Sequence, residues 1–231
     1  MLHNKPDEKQ VLKEIEILAV DDNNVNLAVI AKIIEKTIKA KSNHPNVLCK
    51  VIRAKSGKEA IVEVQKRVTD NKPFSAIFLD QQMEDMSGDV AMLEFTKNEI
   101  VAHFKPSPVI VCSSIVDSQG EQLQELKKSF TSTMDKLAEV VGDDKKNQIK
   151  LTFIAKATTE NSILAALANV GLIELNDNKY NFDNLINFRT TIKKEEQDLT
   201  LITEFGIFAS TSVIQPIEPI QPPSITKSGM D

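Results

Sequence analysis

Up to Gly171 the chain repeats one pattern five times: a short, nearly unbroken apolar run, then a longer stretch with apolar positions every three or four residues. The runs Glu14 to Val20, Val47 to Ile52, Ser75 to Leu79, Val109 to Cys112 and Leu151 to Ile154 are too short for helices. They are rich in β-branched and aliphatic side chains, so they predict strands buried on both faces. Between them, Val29, Ile30, Ile33 and Ile34 fall at helical spacing within residues 23–39. Ser56 with Glu59 has capping-box spacing before a helix to about Arg67, and Asp89 can cap a helix through "VAMLEFTKNEIVAHF". "TTENSILAALANVG" predicts a capped helix closed by Gly171. Strands alternating with helices predict an α/β fold, a doubly wound five-stranded parallel sheet with helices on both faces.

Two stretches break the rhythm. The connection between the fourth and fifth strands carries a long polar and amphipathic segment, Asp117 to Gly142, which predicts an insertion. After Gly171 the chain mixes apolar positions (Tyr180, Phe182, Leu185, Ile186, Phe188) with the run "KKEEQD", and from Ser210 it is proline-rich. The expected organisation is an N-terminal arm (1–13), the α/β domain (14–171), a small C-terminal appendage of helix or hairpin (172–209) and a disordered tail (210–231). "QPIEPIQPP" in that tail reads as linker before docking peptide.

Composition changes this picture little. The 41% apolar and 26% charged content is that of an ordinary globular chain of 231 residues, and a net charge of −5 argues against direct binding of nucleic acid or anionic membrane. Cys49 and Cys112 both lie in strand-like runs, where a small hydrophobe is the usual role. With no apolar leader and no membrane-length run, the expectation is a soluble, reduced, cytoplasmic protein.

The chemistry gathers where the apolar runs end. The first strand ends in Asp21 and Asp22, the third in Asp80, the fourth in Ser113, and Lys156 follows the fifth. In a flavodoxin-like sheet the first and third strands are neighbours at the topological switch point, and ligands bind beyond the strands' carboxyl ends. Three carboxylates meeting there repel unless a cation or proton neutralises them. A hard, all-oxygen donor set suits Mg²⁺; zinc does not fit, because His3, His44 and His103 are scattered. A hydroxyl and an ammonium beside a nucleophilic carboxylate and a metal are what phosphoryl transfer to aspartate requires.

These residues carry a family resemblance. From about Ile15 to Val170 the chain resembles a response-regulator receiver domain of two-component and phosphorelay signalling, and "VDDNNVN" is especially similar to receivers of hybrid sensor kinases. The match rests on "VDDN", on "LDQQMEDMSG" against the family's DxxMPxMxG, on Ser113 and on Lys156. The resemblance implies that Asp80 is the phosphoacceptor. Asp22 would bind Mg²⁺ directly with Asp80, Asp21 through water, and Gln82 through its backbone carbonyl. Ser113 and Lys156 would bind the phosphoryl group, and Phe153 would be the switch aromatic that moves with Ser113. It also implies a signalling module, not an enzyme acting on other substrates. Its partner would be a histidine kinase or a His-containing phosphotransfer protein, with the downstream target open.

Departures from the family pattern are Glu84 and Ala157, each where a proline is usual, and the long insertion. Ile115 and Gln82 occupy positions that in receivers influence attack by water on the acyl phosphate, and they imply slow self-dephosphorylation. Met83 and Met86 read as core, Gly88 as a turn residue, and Asp85, Asp89 and "GDDKK" as solvated charges. Two other readings stay open. One is a haloacid-dehalogenase-like aspartyl phosphatase, disfavoured because that family needs an acid where Gln82 stands and a nucleophile on the first strand. The other is a receiver-like module that recruits partners without phosphorylation.

Overall fold

The computed structural model describes residues 13–117, 121–176 and 179–188. β1 (Lys13–Val20), β2 (Val47–Ala54), β3 (Ala76–Asp80), β4 (Val109–Ser113) and β5 (Leu151–Ala155) form one sheet in the order β2-β1-β3-β4-β5. Every pairing in it is parallel. This is the flavodoxin-like order, with the switch point between β1 and β3.

β1, β3 and β4 are buried on both faces and nearly all apolar there, whereas the edge strand β2 leaves Leu48, Lys50 and Arg53 exposed, against the expectation of five fully buried strands. Ile15, Ile17 and Ala19 of β1 point to one face, where Leu27, Ala31, Ile34 and Ile38 of α1 (Asn24–Lys41) and Ile163, Leu164 and Leu167 of α6 (Glu160–Asn169) cover them. Leu18 and Val20 point to the other, against Ala60 and Val64 of α2 (Gly57–Thr69), Ala91, Met92 and Phe95 of α3 (Gly88–Val101) and Leu126 and Phe130 of α4 (Glu121–Val141). Glu16, on that second face, is buried but paired to Arg67 at 2.8 Å.

The insertion is α4 followed by a single turn, α5 (Asp143–Lys146). Of "GDDKK", Asp143–Lys146 is thus helical and not a loop, after Gly142 at the N-cap position, with its acids at the N-terminal and its lysines at the C-terminal end, the arrangement the helix dipole favours. Asp89 also departs from expectation. The N-cap position of α3 is Ser87, and Asp89 lies in the first turn, buried.

Gly171 ends α6 at φ 73°, with Leu172 N–H on the Leu167 carbonyl at 2.9 Å. Beyond it, β6 (Glu174–Asn176) and β7 (Lys179–Asn181) form an antiparallel hairpin and residues 183–188 a short helix. Leu172, Ile173, Phe182, Leu185 and Phe188 join the same apolar cluster as α1 and α6. His44 Nε2 lies 2.6 Å from Asp183 Oδ1, and Phe182 N–H donates to Asn43 Oδ1 at 3.2 Å, tying this segment to the loop before β2. The proline-rich tail, residues 1–12 and residues 189–209 lie outside the described residues. No helix among the described residues is long and apolar enough to cross a membrane.

Candidate functional site

β1 and β3 lie side by side, so the first polar residues after their apolar runs come together. A carboxylate oxygen from each of Asp21, Asp22 and Asp80 lies within 4.8 Å of the others. Asp21 and Asp80 are buried and Asp22 is half-buried. Lys156, just past β5, reaches across the sheet end to Asp80 Oδ2 at 2.7 Å and Asp21 Oδ2 at 3.1 Å. Asp21 is held further by Asn23 N–H at 2.8 Å and Asn26 Nδ2 at 3.2 Å, while Asn23 Oδ1 caps α1.

Three carboxylates against one ammonium leave a surplus of negative charge. Burial pushes the Asp80 carboxyl above its ordinary value, the Lys156 hydrogen bond and charge oppose this, and the Asp21 charge adds to it. For Lys156, burial works against the charge, but its bonds to Asp80 and Asp21 outweigh that and hold the ammonium above the usual lysine range. The cluster therefore favours an added cation, and its hard oxygen donors fit Mg²⁺. Gln82 stands beside it, and its backbone amide favours the charged form of Asp80.

Ser113 is buried at the end of β4, its Oγ accepting from Ile115 N–H at 3.2 Å. The β4–β5 register sets Ser113 opposite Ala155, and the Lys156 N–H bonds the Ser113 carbonyl at 3.1 Å. No peptide bond among the described residues is cis, so the turn at Ala157 is made otherwise: Thr158 N–H reaches the Lys156 carbonyl at 2.8 Å, and Thr158 Oγ1 lies 3.2 Å from the carbonyls of Ala155 and Lys156. Phe153 lies two strand positions before Ala155, half-buried, in an edge-to-face contact with Phe130 of α4 at 5.4 Å and 88°. The predicted switch aromatic thus touches the insertion.

Two clefts open beside the carboxylates. One, of about 380 Å³, lies between α1 and the Lys156 loop, with Asp21, Asn26, Lys156 and Thr158 among its lining residues. The other, of about 560 Å³, lies under the first turns of α4 and includes Gln81, Gln82, Ser114 and Ile115.

Three features of the site escaped sequence reasoning. Asp85, read as a solvated charge, accepts from Gly57 N–H at 3.0 Å and Lys58 N–H at 2.9 Å and so caps α2 from 28 residues away. Asp89, read the same way, is buried; against burial, hydroxyls of Ser129, Ser87 and Thr133 and the Gln81 amide hold its carboxyl below the usual range. Glu84, where the resemblance leads one to expect proline, donates its backbone N–H to Asp22 Oδ2 at 3.0 Å. A spacing signal exists for none of these, because each partner is brought by the fold.

No family model matches the chain, and no curated protein does. Its neighbours among solved structures include response-regulator receiver domains. One is the receiver domain of the histidine kinase CKI1 from Arabidopsis thaliana, complexed with Mg²⁺ and BeF₃⁻: identity is 22%, coverage 67% of this chain and 90% of that chain, and TM-score 0.43. Others are a CheY-like receiver domain from Methylobacillus flagellatus (14% identity, 68% and 98% coverage, TM-score 0.39) and one from Clostridium thermocellum (16%, 68% and 93%, 0.40).

Proposed function

We propose that this protein is a phosphoacceptor receiver, a signalling module that takes a phosphoryl group onto Asp80 and in response alters a protein-binding surface. The observation that carries this reading is the Lys156 ammonium 2.7 Å from Asp80 Oδ2 inside a three-carboxylate cluster at the switch point. A structural ion pair would not need two further carboxylates, whose mutual repulsion the fold must offset.

In this reading an ionised Asp80 oxygen attacks phosphorus of a phosphohistidine on a histidine kinase or phosphotransfer protein. The N–P bond breaks, the electron pair returns to the imidazole, which takes up a proton, and an acyl phosphate is left on Asp80. Asp21, Asp22, Asp80 and the Gln82 carbonyl would hold Mg²⁺, which supplies neutralisation of the phosphoryl charge. Lys156 pairs with the transferred group, and Ser113 Oγ turns from the Ile115 N–H to donate to it. Movement of Ser113 is read by Phe153 and, through the ring contact, by Phe130 of α4. Gln82 at the position where an aspartyl phosphatase needs its second acid argues against that chemistry. The setting is the cytoplasm.

Mass spectrometry of the protein with Mg²⁺ and a small acyl-phosphate donor tests the reading. One added phosphoryl group, lost in Asp80→Asn, is expected. No gain in a wild-type protein that binds Mg²⁺ would favour phosphorylation-independent recruitment instead. The same samples test a second expectation. Ile115 and Gln82 offer no charged side chain to orient water, so the acyl phosphate should persist for minutes or longer; decay within seconds would overturn it.

A further inference from the structure

The β3–α3 loop, residues 81–87, is clamped from two sides. At its base Gly88 N–H bonds the Gln81 carbonyl at 2.9 Å. At its tip Asp85 takes the first two N–H groups of α2, while Ser56 Oγ takes the third at 3.1 Å, so the loop completes the cap of that helix. The packing there is tight: a Cβ on Gly57 would come within 2.3 Å of Met86 Cγ.

Between these anchors the Glu84 N–H points at Asp22 Oδ2, 3.0 Å away. Glu84 is exposed, and its N–H could be satisfied by water; the fold instead spends it on a carboxylate of the acidic cluster. A proline at this position would have no N–H to give. Asp22 is also the least buried of the three acids, the one whose side chain has most freedom to lose.

We propose that the Glu84 backbone amide, fixed by the Asp85 clamp on α2, is a positioning group for Asp22. It restrains one carboxylate oxygen so that the other is presented to the cation shared with Asp21 and Asp80. This deepens the receiver reading above and rests on its assignment of a divalent cation to the cluster. Groups that orient a metal-ligating carboxylate are worth tenfold or more in metal affinity.

The test is Mg²⁺ titration of the full chain by calorimetry, in wild type, Glu84→Ala, Glu84→Pro and Asp85→Ala, with thermal unfolding of each. Glu84→Ala keeps the N–H and is expected to bind as wild type does. Glu84→Pro is expected to bind about tenfold more weakly. Asp85→Ala, which keeps the N–H but releases the loop, is expected to weaken binding in the same direction by less. Amide exchange at residue 84 in metal-free protein supplies a readout independent of the cation: slow in wild type and Glu84→Ala, fast in Asp22→Ala. Glu84→Pro binding as tightly as Glu84→Ala, or an unprotected amide in wild type, overturns the positioning role while the receiver reading stands. Should Glu84→Pro fail to fold, Asp85→Ala binding as tightly as wild type overturns it. Wild type without Mg²⁺ affinity overturns the cation assignment and this proposal with it.

Discussion

Replacing Glu99 with glutamine is expected to stabilise the protein at pH 8 by about 2 kcal/mol and to flatten its stability between about pH 5 and 7. Glu99 is fully buried on α3 beside Ser107. Ser107 Oγ lies 2.5 Å from Glu99 Oε1 and 2.9 Å from the Phe74 carbonyl, and Ser107 N–H donates to Glu99 Oε2 at 2.9 Å. A serine hydroxyl has one proton and cannot donate to both acceptors. With Glu99 protonated every bond is made: its O–H donates to Ser107 Oγ, whose own O–H donates to Phe74. Burial agrees with this inventory, raising the Glu99 carboxyl to about 7 from 4.5 although Ser107 pulls the other way. The folded chain therefore keeps a proton that the unfolded chain releases as pH rises from 4.5 to about 7. The Glu99 contribution to stability is fully present below 4.5 and falls through that window by about 3 kcal/mol, at 1.36 kcal/mol per pH unit of difference. Glutamine reproduces the protonated pattern at every pH, but its second amide hydrogen lacks an acceptor and costs about 1 kcal/mol. Urea unfolding of both proteins from pH 4.5 to 8.5 decides; parallel curves would mean that Glu99 is ionised and otherwise paired.

How much of this could be read from the chain follows from what each feature depends on. The acids Asp21, Asp22 and Asp80 were legible because the last stretch of each buried strand, residues 17–20 of β1 and 76–79 of β3, stays apolar until it reaches the rim. The first polar residue after the run is then the rim residue, and the sheet order brings the rims of β1 and β3 together. Lys156 was legible for the same reason, its ammonium having length enough to cross from β5. What stayed hidden depends on side chains meeting from distant elements. Asp89 and Ser129 are 40 residues apart, Glu84 and Asp22 62. Neither separation has a periodicity, and a carboxylate in a polar loop looks the same whether it is solvated or takes two helix N–H groups. The Phe130 contact was invisible because an amphipathic helix announces that it buries a face, not which face of its neighbour it meets. Similarly, Phe182, Leu185 and Phe188 showed an apolar stripe after Gly171, but not that it would close over α1 and α6.

Asp89 shows how the buried polar set serves the site. One of its oxygens takes the Ser129 hydroxyl at 2.6 Å and the Thr133 hydroxyl at 3.3 Å, and the other takes the Gln81 amide at 3.3 Å. Gln81 is the residue after Asp80. The α4 insertion is thus joined to the site twice, through Phe130 on Phe153 and through Asp89 on Gln81. Deleting this carboxylate would strand the buried Thr133 hydroxyl and the half-buried Ser129 and Gln81 together, so this joint is costly to break.

Gly88→Ala is expected to do the greatest damage to the site for the smallest chemical change. Gly88 begins α3, and its backbone is not in the left-handed region, so conformational freedom is not the reason for glycine there. Space is. A Cβ would lie 2.5 Å from the Asp80 carbonyl oxygen and 3.0 Å from Gln81 Cα, both backbone atoms and unable to turn aside as a side chain would. Two relaxations are open. α3 can retreat, loosening Ala91, Met92 and Phe95 from the core, or the Asp80–Gln81 peptide can move and carry the carboxylate with it. The first costs stability, about 3 kcal/mol at the upper end for one overpacking methyl. On the proposed receiver reading the second costs chemistry, since a displacement of about 1 Å at a reacting group lowers a rate roughly a hundredfold. Because Gly88 N–H also closes the loop on Gln81, the two are coupled and both losses are expected together. Chemical denaturation and the rate of acyl-phosphate labelling of Asp80, measured on the same variant, separate them. A variant as stable and as fast as wild type would show that the α3 N-terminus has slack the packing does not suggest.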